Sequence, residues 1–218
     1  MAKVGVVLSG CGVYDGSEIH EATLTLLYLD LAGAETVCMA PDVAQVEVVD
    51  HRDGGASGDT RNVLAESSRI ARGAIKDLKE IRSRDIDALI FPGGFGAAKN
   101  LCSFAVKGPE CGVNPDVVRL IKEMHDEKKP LGFMCIAPVI AAKVLGGFKP
   151  RLTIGTDKAT AEAVEKMGGR HVDCAVDGVV VDRENRIVTT PAYMLGPTIS
   201  KVGQGIEKLV QEVLSLSR

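Results

Sequence analysis

The feature that most constrains this chain is the alternation of short apolar runs with stretches of helical period along most of its 218 residues. Such alternation builds a mostly parallel sheet covered by helices on both faces, because each parallel crossover needs a helix to carry the chain back. Residues 3–8 read as the first strand, followed by a Gly-rich loop and a helix from about Ser17 to Leu31 closed by Gly33. Residues 35–40 read as the next strand. The polar segment 42–59, with Gly54, Gly55 and Gly58, reads as an excursion or hairpin before an Arg-rich helix near 61–72. Residues 86–91 form a buried strand stopped by Pro92-Gly93-Gly94, and Asn114-Pro115 opens a helix to about Glu127. A strand from Pro130 to Met134 delivers Cys135 to its end, and Ile136 begins a largely apolar helix with Pro138 in its tolerated first turn. A strand at 151–155, a helix near 158–168 and a hairpin across Asp182 to Asn185 follow. A closing helix then presents Ile206, Leu209, Val210, Val213 and Leu214 on one face. At this length a single α/β domain over residues 1–218 is expected.

Composition removes several function classes. With 26 Lys+Arg against 29 Asp+Glu, a net charge of -3, the chain has no basic field to concentrate nucleic acid or anionic lipid. Neither nucleic acid nor membrane is expected as a partner. The apolar run Val4 to Leu8 is too short for a signal peptide core, and no uninterrupted apolar stretch could span a bilayer. The expected location is cytoplasmic, or the organelle matrix if a targeting segment has been removed. Six cysteines show no Cys-x-x-Cys spacing and four histidines no His-x-x-x-His pair. Reduced thiols are therefore expected, with no metal and no cofactor.

In open α/β sheets, chemistry collects where strands end at their carboxyl side, because helix N-termini and free backbone N–H groups converge there. Three segments are expected to meet at that edge. In the first, Gly132 to Ala137, small neighbours permit a sharp turn that would expose Cys135 at a helix start, like a nucleophile elbow. The helix dipole and nearby N–H groups would favour its thiolate, although a lone Cys among apolar residues is as readily packed core. In the second, Pro92 to Gly96, the Gly94 N–H could aim at the same point as the Ile136 N–H, a pair fit for an oxyanion hole. The third, Gly10-Cys11-Gly12-Val13-Tyr14-Asp15-Gly16, spaces its glycines one residue too long for a dinucleotide-binding loop. The helix after it carries Glu18, His20 and Glu21 in its first turn, where a carboxylate beside a thiol could share its proton or simply complement the dipole. Cys11 could approach Cys135 as a second thiol, or be packed. His125-Asp126-Glu127 spells the His-x-Glu of a glutamine amidotransferase triad. It lies upstream of Cys135 at a charged helix end, and the downstream His171 lacks a Glu two residues later.

Four phrases together carry a resemblance: Ser9 to Glu21, Phe91 to Asn100, Gly132 to Pro138, and Val188 to Tyr193. In that order, over nearly the whole chain, they resemble the ElbB group, or enhancing lycopene biosynthesis proteins. That group sits in the PfpI-like branch of the class I glutamine amidotransferase-like superfamily. The resemblance implies a flavodoxin-like three-layer sandwich, a homodimer, a nucleophile at Cys135 and its hydrogen-bonded carboxylate at Glu21. It further implies cofactor-independent glyoxalase activity, a lyase reaction turning glyoxal, a small dicarbonyl substrate, into glycolate without glutathione, with related 2-oxoaldehydes as further candidate substrates. Deglycation is a disputed description of the same chemistry, and a link to isoprenoid biosynthesis is also implied. Many relatives place a histidine where this chain reads Thr153 to Asp157. Without it, Glu21 works alone, His20 substitutes, or turnover is slow. The alternative from another class is a regulatory protein that senses oxidants through an oxidisable Cys135.

Overall fold

The computed structural model describes residues 1–217. Its main sheet has seven strands: β1 (Lys3–Val7), β2 (Glu35–Ala40), β5 (Ile75–Asp77), β6 (Ala88–Phe91), β7 (Leu131–Met134), β10 (Val180–Asp182) and β11 (Ile187–Thr190). Across the sheet they run β10-β11-β7-β6-β1-β2-β5, all parallel except β10, which pairs antiparallel with β11. Side-chain alternation on these strands splits the core in two, since successive residues of a strand face opposite sides. Leu89 and Phe91 join one cluster with helices α5 (Pro115–Asp126), α6 (Pro138–Leu145) and α7 (Lys158–Lys166). Ala88 and Ile90 join the other, with α1 (Ile19–Leu31), α2 (Val63–Ile70) and α8 (Ile199–Leu216). The expected three-layer, mostly parallel flavodoxin-like architecture is borne out.

Local chemistry sets the boundaries. Glu18 caps α1, its Oε2 accepting the Glu21 N–H at 2.7 Å, and Gly33 at φ 69° ends the turn beyond it. Asn114 caps α5 through its side-chain oxygen, with Pro115 at the first helical position. The excursion after β2 contains the hairpin β3 (Val49–Asp50) and β4 (Gly55–Ala56).

Several expectations need correction. The strand at 151–155 is only β8 (Arg151–Leu152), and it pairs with β9 (Arg170–His171) outside the main sheet. Side chains take the next backbone donors: Thr189 Oγ1 accepts the Thr153 N–H at 2.9 Å and His171 Nε2 the Ile154 N–H at 3.4 Å. The edge strand β5 escapes a pattern reading because its Ile75-Lys76-Asp77 carries one apolar residue and needs no fully buried face. Two short helices, α3 (Phe95–Lys99) and α4 (Phe104–Lys107), follow β6 where no helix was expected. Leu214 is only partly buried, while Ile206, Leu209, Val210 and Val213 form the packed face of α8.

Candidate active site at the carboxyl edge of the sheet

Strand register brings the site together. β6 and β7 pair with Phe91 opposite Phe133, and those rings stack with centroids 4.8 Å apart at 9°. Two residues further on, Gly93 therefore lies against Cys135. A Cβ added at Gly93 would fall 2.4 Å from the Cys135 Cβ, 3.0 Å from its Sγ and 2.8 Å from Glu21 Oε2. Only glycine leaves room for all three groups. On the other side β11 pairs Thr190 with Met134, and the chain then turns across the site through Pro191, Ala192 and Tyr193.

Cys135 itself stands at φ 58°, the left-handed region that costs a non-glycine residue roughly 1–2 kcal/mol. Its N–H is held by the Thr190 carbonyl at 3.1 Å, so pairing beyond the strand end maintains the strained turn. The Gly94 and Ile136 N–H groups and the Glu21 carboxyl group are the neighbours that act on the sulfur, the N–H groups favouring its charged form and the carboxyl group opposing it. Gly94 and Ile136 line the same cleft as Cys135.

Glu21 is fully buried. Its Oε2 accepts the Gly93 N–H at 2.8 Å and its Oε1 the Tyr193 N–H at 3.1 Å. Burial nevertheless dominates and, with the charge of Glu18, raises its pKa from 4.5 to about 7 against the lowering by those N–H groups. Cys135 is pushed well above the usual thiol range, first by burial and then by the negative charge of Glu21, with Gly94 and Ile136 opposing. This corrects two expectations: Cys135 is buried rather than exposed, and a resting thiolate is disfavoured. The helix that follows begins only at Pro138, and desolvation with a carboxylate neighbour dominates, so the site holds a thiol beside a carboxyl group with a pKa of about 7.

The other candidates separate. Glu18 is buried, acts as the α1 cap and lines the cleft onto which Cys135 opens. His20 is exposed, and its Nδ1 meets the Tyr193 hydroxyl at 2.7 Å. It reaches the site only through that ring. Cys11 does not line the cleft; its charged surroundings are Glu66, Arg69, Asp15 and Arg61. A parallel β-bridge between Cys11 and Ser17 closes the loop between them. His125 packs on Phe148 at 4.4 Å and meets Asn185, and His171 pairs with Asp173 at 3.7 Å. Among the described residues no histidine lines the cleft. Two participants were missed: Gly93, whose missing side chain makes the space, and Tyr193, whose N–H holds Glu21. Both lie inside phrases that carried the resemblance, yet neither bears a side-chain signature that would mark it alone.

No family model matches the sequence. Over 226 residues the chain is 49% identical to the "ES1 protein homolog, mitochondrial" of Rattus norvegicus. It is equally similar to the "Glutamine amidotransferase-like class 1 domain-containing protein 3, mitochondrial" of Homo sapiens, and each match covers 99% of this chain and 84% of the relative. Among solved structures, an isoprenoid biosynthesis protein with amidotransferase-like domain from Ehrlichia chaffeensis superposes at a TM-score of 0.93. It is 36% identical, with all of both chains covered. A DJ-1 superfamily protein from Salmonella typhimurium shares the fold at a TM-score of 0.58 and 24% identity, over 99% of this chain and 91% of that one. The fold is shared with the DJ-1 superfamily neighbour, and the class is that of the glutamine amidotransferase-like proteins. Within it, the chain belongs to the family of the ES1 and glutamine amidotransferase-like class 1 domain-containing proteins.

Proposed function

We propose that this chain is a glutathione-independent glyoxalase of the ElbB type, turning glyoxal into glycolate through a covalent adduct on Cys135. The reading rests on one observation above all: Cys135, on a strained turn, and the buried Glu21 carboxyl group both crowd against Gly93, on a cleft that Gly94 and Ile136 also line. Sγ attacks one aldehyde carbon, the thiol proton passes to Glu21, and the new alkoxide is held by the Gly94 and Ile136 N–H groups. Protonation gives a hemithioacetal. Glu21 then takes the hydrogen from the sulfur-bearing carbon, leaving an enediol, and a proton is returned to the neighbouring carbon. One carbon is oxidised to a thioester as the other is reduced to CH2OH, so no external oxidant enters. Water cleaves the thioester, releasing glycolate and the thiol; the sum is glyoxal plus water. A carboxyl group with a pKa of about 7 is suited to give and take protons near neutral pH.

With no histidine on the cleft, Glu21 is the base, and His20 acts as a positioning residue through Tyr193. The redox-sensing alternative is weakened by burial, because a thiol held protonated is a slow target for peroxide. We further propose a homodimer acting in the cytosol or an organelle matrix; the mitochondrial names of the relatives favour the matrix. Among the described residues no helix is long and apolar enough to cross a membrane. Deglycation and a role in isoprenoid metabolism stay attached to this reading, the second through the name of the Ehrlichia neighbour. The test is NMR detection of glycolate from glyoxal. Wild-type turnover that falls at least about 1,000-fold in Cys135→Ala is expected; equal rates would contradict a covalent route.

A further inference from the structure

The cleft is larger and more apolar than glyoxal requires. Glyoxal has four heavy atoms and no apolar substituent, whereas the space beside Cys135 is about 450 Å³, within the range that holds drug-sized ligands. Its polar side chains are Glu18, Cys135, Thr160 and Tyr193. The rest of its lining is apolar and includes Val13, Phe95, Ala98, Phe104 and Met194. Phe95 is 48% exposed at the start of α3. It is held there by its N–H bond to the Val13 carbonyl at 2.8 Å, which fixes two wall residues to each other. The lining contains no cation. Lys99 lies 5.1 Å from the Phe95 ring centre but is paired with Glu47 and the Tyr14 carbonyl, and the charged side chain on the cleft is the acidic Glu18.

On the glyoxalase reading above, we infer that the site takes 2-oxoaldehydes carrying an uncharged apolar substituent of about phenyl size. The aldehyde carbon would meet Cys135 and the substituent would lie along Phe95 and Phe104. The chemistry is unchanged: Sγ bonds to the aldehyde carbon, which becomes the thioester as the ketone carbon is reduced to CHOH. Water then releases the 2-hydroxy acid. An anionic substituent is disfavoured, because it would be buried beside Glu18 with no cation to receive it.

The experiment compares kcat/KM for phenylglyoxal and glyoxal, following mandelate and glycolate by NMR. Phenylglyoxal is expected to be favoured by about tenfold or more, the discrimination an apolar pocket supplies. That preference should shrink about tenfold in Phe95→Ala and in Phe104→Ala; Phe95 is exposed enough for its variant to fold. Turnover of glyoxal with no preference for phenylglyoxal overturns the inference and leaves the glyoxalase reading intact. If neither compound is turned over, the glyoxalase reading fails, and calorimetry of Cys135→Ala decides the cleft separately. Neutral phenylethanediol binding at least about tenfold tighter than ethylene glycol supports apolar recognition, and equal binding overturns it.

Discussion

Cys135 and Cys102 are both buried cysteines, and both thiols are made less acidic by burial, Cys102 to about 12 and Cys135 well above the usual range. At Cys102 the sulfur donates to the Ala97 carbonyl at 3.3 Å and touches Cys111, a second thiol. No carboxyl group faces it. Cys135 stands on a left-handed turn where the Gly94 and Ile136 N–H groups and the Glu21 carboxyl group act on its sulfur. Acidity does not distinguish the two sites. What differs is a proton acceptor of suitable pKa and donors placed where negative charge would develop, so reactivity at Cys135 is a property of its neighbours.

The largest expected effect breaks the comparison at the sulfur. Cys135→Ala should lower glyoxal turnover at least about 1,000-fold, whereas Cys102→Ala should leave kcat unchanged and lower stability by about 1–2 kcal/mol in denaturant unfolding. Next, Gly93→Ala should cost about 1–3 kcal/mol and most of the activity, because its Cβ would overlap the Cys135 Cβ at 2.4 Å. An unchanged melting temperature would show that the space is not as tight as described. Glu21→Gln should then reduce kcat by about 100- to 10,000-fold, the range of general acid–base assistance.

The same carboxyl group links activity and stability to pH with opposite signs. Its pKa is raised on folding from 4.5 to about 7, so between those values the folded protein holds a proton that the unfolded chain has lost. The stabilisation is complete below pH 4.5, is lost as pH rises, and is gone above about 7. The loss is on the order of 3 kcal/mol. Over the upper part of that window kcat/KM should rise as Glu21 ionises. Equilibrium unfolding across pH 4 to 9 checks this: wild type should show the decline and Glu21→Gln should lack it. The smallest effect belongs to His20→Ala, expected below about tenfold in kcat, because His20 touches the site only through the Tyr193 hydroxyl.

Much of the arrangement was legible in the sequence because it is written in chain punctuation. The strand ending at Pro92-Gly93-Gly94 and the run from Gly132 into Cys135 and Pro138 mark two strand ends, and parallel pairing must bring such ends to one edge. Glu21 was legible by its helix position and by resemblance, not by its own signature. Three things were hidden for physical reasons. The resting thiol depends on how far burial outweighs two N–H groups, a balance of opposing effects that no local pattern encodes. Tyr193 contributes a backbone N–H, which every non-proline residue possesses. Strand β5 lies at an edge, where Lys76 and Asp77 satisfy no alternation.

The most direct test of the central claim, that Glu21 governs the reactivity of a buried thiol, is the iodoacetamide alkylation rate of Cys135 against pH, read by peptide mass spectrometry. The account expects the wild-type rate to climb with an inflection at about pH 7, and that inflection to vanish in Glu21→Gln while Cys102 stays unlabelled in both. Superimposable profiles for wild type and Glu21→Gln, or labelling of Cys102 as fast as Cys135, would contradict it.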